Sequence, residues 1–233
     1  MATGIARDAT ASVAVEIATE VQKRHPHSLA IPGFVAAQLS VVSILGIFAT
    51  ACALVVTLVW RFSSKLQRLE NVERCLMCWW AVTGLIHVVL EGYFVFTPDF
   101  YKKKEIHYLA EVCKEYNKGD SRYAARDPAI VTVEAITAVF VGPASLLCVF
   151  AIAKEKFYQY PLQLVVSIAQ LYGDTVYYGT VFVDGREFSA PGFLYYWFYF
   201  MFLNSIWILV PIVIATQSWH RICILMQLSK KLH

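Results

Sequence analysis

Residues 78–96 read CWWAVTGLIHVVLEGYFVF, an apolar run broken by two ionisable side chains, His87 and Glu91. The run is long enough to cross a bilayer as one helix. Their i,i+4 spacing puts both side chains on one helix face. Charge held there costs at least about 2.5 kcal/mol on insertion scales, so an intramembrane pair of this kind reads first as a functional site. The structural alternative is a His–Glu pair that ties helices together.

The rest of the chain has the same character. It has 233 residues, 58% hydrophobic and 15% aromatic, with a mean hydropathy of +0.53. Charged residues make up 16%, below the roughly 25% of a soluble domain. The net charge of +3 is unclustered, which leaves no footprint for nucleic acid. The six cysteines are scattered. Cys75 and Cys78 form a CxxC, but no second pair or histidine cluster completes a zinc site, and no disulfide framework is implied. Residues 1–34 are polar to amphipathic and lack the continuous apolar core of a signal peptide. Ala14 to Val21 fit a short surface helix, which His25-Pro26-His27 would end; the two histidines there read as a solvated linker.

Five apolar windows predict an all-α membrane protein with a five-helix transmembrane bundle: about Leu39–Trp60, Leu76–Phe96, Ala129–Ala153, Tyr160–Val183 and Phe193–Ala215. Asp127-Pro128 opens the third as a helix start. Together they form one membrane domain over residues 35–217, followed by a basic tail at 218–233. Trp60, Trp79, Trp80, Tyr93, Tyr195, Tyr196 and Trp197 gather near the ends, as in an interfacial belt. Arg61, Lys65, Arg68 and Arg74, then Lys154 and Lys156, then Arg221, Lys230 and Lys231 alternate onto one side, read as cytosolic. The loop from Thr97 to Arg126, with seven basic residues, opposes that orientation. Lys230-Lys231-Leu232-His233 resembles the dilysine signal for return to the endoplasmic reticulum.

Polar side chains line up on four of these helices. The stripes are Thr83, His87 and Glu91; Glu134, Thr137 and Ser145; Gln163, Ser167, Gln170, Asp174 and Tyr178; and Trp197, Asn204, Trp207 and Pro211. Polar groups facing lipid are costly, so the stripes should point inward. Gln163, Ser167 and Gln170 read best as interhelical packing bonds, and Asp174, near a helix end, reaches water. No glycine-rich phosphate loop and no HExxH is present, and His-x3-Glu alone offers too few metal ligands. What remains is proton transfer: a His–carboxylate acid, a second carboxylate as base, and an indole face that stabilises a cation. Together they suit moving a double bond through a carbocation in a lipid-soluble substrate.

Leu85–Phe96 (LIHVVLEGYFVF), Lys114–Tyr123 (KEYNKGDSRY), Val133–Thr137 (VEAIT), Leu162–Asp174 (LQLVVSIAQLYGD) and Trp197–Trp207 (WFYFMFLNSIW) resemble the emopamil-binding-protein family of sterol Δ8–Δ7 isomerases, in its plant-type form. The resemblance runs from about Gly33 to Ile214. It implies a five-helix EXPERA-type bundle in the endoplasmic reticulum membrane, shifting the sterol double bond from C8–C9 to C7–C8 without cofactor or metal. His87, Glu91, Glu134, Asn204 and Trp207 match the catalytic positions. Thr137, Thr83, Val133, Trp197 and Tyr123 are the substrate-binding candidates; Val133 stands where some members have methionine. On this reading His87, polarised by Glu91, protonates C9, Trp207 and Glu134 stabilise the cation at C8, and Glu134 or the His87–Glu91 pair takes the C7 proton. Asn204 and Thr137 orient these groups. The implied partners are a membrane-embedded sterol, cationic amphiphilic amines as inhibitors, and a second copy in a homodimer. Two rivals are a non-catalytic sterol or amine receptor of the same superfamily, and a proton relay through His87, Glu91, Glu134 and Asp174. Retention of His87 with Glu134 and Asn204 favours the enzyme. Asp120 and Arg122 either pair to cap the pocket or form a solvated turn.

Overall fold

The computed structural model describes residues 31–66 and 68–232. The expected helix at Ala14–Val21 and the His25-Pro26-His27 break lie outside them. Helix α1 (Val41–Ser63) starts at Ser40, whose hydroxyl accepts the Ser43 backbone N–H at 3.1 Å. Helix α2 (Asn71–Phe96) starts with a reciprocal capping box between Glu70 and Glu73. Two short helices follow, α3 (Tyr108–Tyr116) and α4 (Arg122–Ala125). Helix α5 (Pro128–Ala153) begins where the sequence indicates: Asp127 Oδ1 accepts the N–H groups of Ala129 (2.9 Å) and Ile130 (3.2 Å), with Pro128 in the first turn. Helix α6 (Gln159–Asp184) stops at Gly185, whose φ of 66° few other residues adopt. The last element, α7, is a π-wound Phe193–Leu203 running into α-helical Asn204–Leu232.

Four of these, α1, α2, α5 and α7, are long and apolar enough to cross a membrane. At 26 residues α6 matches them in length. Its buried Gln163, Ser167 and Gln170 lower its hydropathy because they face other helices. The expected basic tail is helical instead. Past Pro211 the chain has no further proline or glycine to stop α7, which continues through Arg221 to Leu232.

Helix α6 packs along α7, α5 against α2, and α1 against α2. The α2–α5 contact closes at two glycines: a Cβ on Gly84 would lie 2.9 Å from Leu146 Cδ2, and one on Gly142 2.8 Å from Val88 Cγ2. Next to this contact both helices widen into π turns, Ile86–Glu91 and Thr137–Val141. Such turns are rare and cluster at functional sites.

The segment 97–127 folds over the end of the bundle where α1 starts and α2 ends. Glu111 accepts the backbone N–H groups of Gln38 and Leu39 and pairs with Lys114 at 3.0 Å, both side chains fully buried. Burial raises the Glu111 pKa, but these donors outweigh it and hold the carboxyl below its ordinary range. Arg126 donates to the carbonyls of Phe94 (2.5 Å) and Val95 (3.2 Å), capping the C-terminus of α2. Asp120 and Arg122 are the buried pair, not the solvated turn. Arg122 Nη2 meets Asp120 Oδ2 at 2.6 Å, while Nη1 reaches Tyr177 O (3.1 Å) and Thr180 Oγ1 (2.8 Å) on α6.

Candidate functional site

A cavity of about 230 Å³ lies between the helices and beneath the 97–127 segment. His87 and Glu91 reach it from the π turn of α2, Val133, Glu134 and Thr137 from α5, and Asn204 and Trp207 from α7. Tyr123 lines it from α4. Helix α1 adds apolar walls through Ile44, Leu45 and Phe48.

His87 Nδ1 bonds Glu91 Oε1 at 2.6 Å. The other Glu91 oxygen accepts the Thr137 hydroxyl at 2.5 Å. The carboxyl of Glu134 is a neighbour of Glu91's. Glu134 in turn accepts the phenol of Tyr123. The ring therefore donates from Nδ1, leaving Nε2 as the acceptor. Nε2 sits 3.0 Å from Gln170 Nε2 and 3.3 Å from Thr83 Oγ1. Thr83 also receives Trp207 Nε1–H at 2.8 Å and Gln170 Nε2–H at 3.2 Å, so its own hydroxyl is free to donate to His87. The Trp207 ring stands 6.2 Å from the imidazole, centre to centre. The arrangement is a hydrogen-bonded chain from Trp207 through Thr83 and His87 to Glu91 and Thr137, with the Tyr123–Glu134 pair beside it. It can hold a proton, move it over short distances, and face an apolar molecule with an indole and carboxyl oxygens.

Most of the expected site residues meet here, with differences. Thr83 is buried behind His87 and does not line the cavity. Asn204 holds its own helix instead of the acid–base groups. Its Nδ2 donates to the Phe200 (2.7 Å) and Tyr199 (3.1 Å) carbonyls of the π turn, and its Oδ1 accepts Tyr116 Oη–H at 3.1 Å. Trp197 is a correction. It is 55% exposed and lies along a surface depression with Pro191 and Phe193, outside the cavity. Its expected face assumed an α-helix, but Phe193–Leu203 is π-wound, with a turn wider than the 3.6 residues of an α-helix. A spacing of seven then no longer returns Trp197 to the face of Asn204.

Other residues were undervalued. Gln163 is the packing amide expected, accepting Trp80 Nε1–H at 3.1 Å. Gln170, on the same stripe, lies against His87 and lines the cavity. Asp174, expected to reach water, lines it too. Tyr116 and Tyr177 also face it; Tyr116 ends α3, a helix too short to mark it by periodicity.

A family model described as EXPERA (EXPanded EBP superfamily) matches residues 108–218. A probable 3-beta-hydroxysteroid-Delta(8),Delta(7)-isomerase of Arabidopsis thaliana is 51% identical over 198 residues, covering 85% of this chain and 87% of the relative. One from Oryza sativa subsp. japonica is 49% identical over 212 residues, covering 88% and 96%. A protoglabretal synthase of Citrus sinensis is 45% identical over 173 residues, covering 73% and 82%.

Proposed function

Since the chain belongs to the EXPERA (expanded EBP) superfamily, we propose that it is a sterol Δ8–Δ7 isomerase that moves the ring double bond from C8–C9 to C7–C8. The observation that carries this reading is the hydrogen-bonded His87–Glu91 pair with Glu134 and the Trp207 indole beside it, on an otherwise apolar cavity. Identity of about half to isomerases named for this reaction, over most of each chain, favours the enzyme over a non-catalytic receptor.

Both nitrogens of His87 are already engaged, so the histidine acts on the sterol through Glu91. The His87–Glu91 pair delivers a proton to C9, leaving a cation at C8. The Trp207 face and the carboxyl groups stabilise that cation. The C7 proton passes to Glu134, and its transfer from Glu134 back to the His87–Glu91 pair returns the cluster to its starting state. One proton enters the sterol and one leaves, so no cofactor is consumed. Thr137 and Tyr123 fix the carboxyls by donating to them, and Gln170 and Thr83 fix the imidazole. The protein works as a homodimer of five-helix bundles in the endoplasmic reticulum membrane, α6 being the fifth span, with the basic ends of α1 and α7 toward the cytosol. Amphipathic amines bind the same site because an ammonium mimics the cation.

The test is a sterol profile by mass spectrometry in yeast lacking its own Δ8–Δ7 isomerase. Wild type should restore Δ7 sterols. His87→Ala, Glu91→Gln and Glu134→Gln should each cut turnover by about 10²-fold or more. Persistence of Δ8 sterols with well-expressed wild type overturns the reading, and normal turnover in Glu91→Gln removes that residue from the mechanism.

A further inference from the structure

The groups that the isomerisation needs come from different helices. The acid, His87 with Glu91, is on the π turn of α2, and the indole that faces the cation, Trp207, is on α7. Helix α7 packs along α6. Among the described residues one hydrogen bond joins α7 to α2, from Trp207 Nε1–H to Thr83 Oγ1 at 2.8 Å. The same hydroxyl lies 3.3 Å from His87 Nε2. An indole N–H only donates, so Thr83 accepts it, and its own O–H is left for the imidazole. Thr83 is 1% exposed and does not line the cavity, so it touches no substrate. The other contacts of the indole are ring to ring, with His87 at 6.2 Å and Trp79 at 6.1 Å between centres. Ring contacts tolerate a range of tilts, whereas a hydrogen bond is directional, so the N–H bond sets the orientation of the indole.

We infer that Thr83 is a positioning residue for the isomerisation, one hydroxyl that fixes the Trp207 face and the His87 ring relative to each other; the inference rests on the isomerase reading above. Proton delivery and cation stabilisation fall on adjacent carbons, C9 and C8, so a displacement of one group relative to the other is felt in the transition state. A cation gains from an indole only when it lies over the ring face. The neutral sterol is held by the apolar walls of the cavity, which Thr83 does not form. Losing the hydroxyl therefore slows turnover and leaves sterol binding nearly intact.

The test uses the full-length protein in nanodiscs. Thr83→Val keeps the shape of the side chain without its hydroxyl. Its kcat on a Δ8 sterol should fall about 10–100-fold with KM little changed. Thr83→Ser keeps the hydroxyl and should recover most of that loss. In a Trp207→Phe background, which has no N–H to hold, Thr83→Val should cost less than it does in wild type. Equilibrium binding gives a readout independent of turnover: Thr83→Val should weaken an amphipathic ammonium ligand several-fold more than it weakens the sterol, because the cation depends on the indole face. If Thr83→Val is not recovered folded, Thr83→Ala carries the same comparisons. Wild-type kcat in the folded variant, equal losses for ammonium and sterol, or no recovery in Thr83→Ser overturns the inference. Failure of the isomerase reading looks different: wild type makes no Δ7 product, while the ammonium-to-sterol ratio still reports whether Thr83 sets the indole.

Discussion

Replacing Gly142 with alanine tests whether the α2–α5 contact positions the acid–base groups. The added Cβ would lie 2.8 Å from Val88 Cγ2, 3.0 Å from His87 Cβ and 3.2 Å from Val88 N. Carbon atoms rest at about 3.5–4.0 Å, so α2 must retreat by roughly 0.5–1 Å. Val88 Cγ2 can move by a rotamer change, but His87 Cβ and Val88 N move only with the backbone. That backbone is the π turn carrying His87 and Glu91, while Thr137 and Glu134 stay on α5. The substitution therefore pulls Glu91 away from Thr137 and Glu134. A misplacement of about 1 Å costs about 10²-fold in rate, and overpacking costs about 1–3 kcal/mol in stability. Turnover of a Δ8 sterol by Gly142→Ala protein in nanodiscs should fall about 10–100-fold, with folded protein still recovered from the membrane. Gly46→Ala, with nothing within 4 Å of its Cβ, is the control and should be silent. Wild-type turnover in a folded Gly142→Ala protein would refute the idea that the close contact sets the site.

Three further outcomes follow from the same geometry. Gln170→Leu removes the amide from His87 Nε2 and Thr83; turnover should drop about 10-fold with KM little changed, and an unchanged kcat would reduce Gln170 to a packing residue. Arg122→Met leaves Asp120 as an unpaired buried charge, expected to cost about 3–5 kcal/mol. Detergent size-exclusion profiles should show lost folded protein, partly recovered when Asp120→Leu is added. Glu111 has a lowered carboxyl pKa, so its contribution is complete above the ordinary carboxylate range and is lost as pH falls through the depressed value. Thermal melts of wild type should lose stability on acidification in that window, and Glu111→Gln should be less stable at neutral pH and flatter with pH.

The parts of this molecule legible in its sequence are those set by local chemistry. Asp127-Pro128 starts α5 because a carboxylate and a proline suit free N–H groups wherever a helix begins. His87 and Glu91 stand out because their cost in an apolar run is independent of their neighbours. The three π turns carry no such mark. The turns of α2 and α5 lie next to the Gly84 and Gly142 contact, and a sequence periodicity of 3.6 misplaces whatever lies inside a wider turn, as with Trp197 in α7. The segment 97–127 is opaque for a related reason. Its buried charges, Glu111, Lys114, Asp120 and Arg122, have the composition of a solvated loop, and only their mutual contacts allow them to be buried.

Gln163 and Gln170 show where sequence reading stops. They lie seven residues apart on α6, so they share a face and a composition, and nothing local separates them. Gln163 meets the Trp80 indole, a donor that takes its oxygen and leaves a packed amide. Gln170 meets His87 and Thr83, where its NH2 group is fixed by an imidazole nitrogen and its oxygen has no partner among the described residues. The difference comes entirely from α2, one turn of which presents an indole and a later turn an imidazole. An amide beside an ordinary donor contributes to packing. Beside an imidazole whose other nitrogen is tied to a carboxylate, the same amide fixes the orientation of the ring. Its role is thus a property of two helices in register, which is why a stripe read from one helix finds the face but not the function.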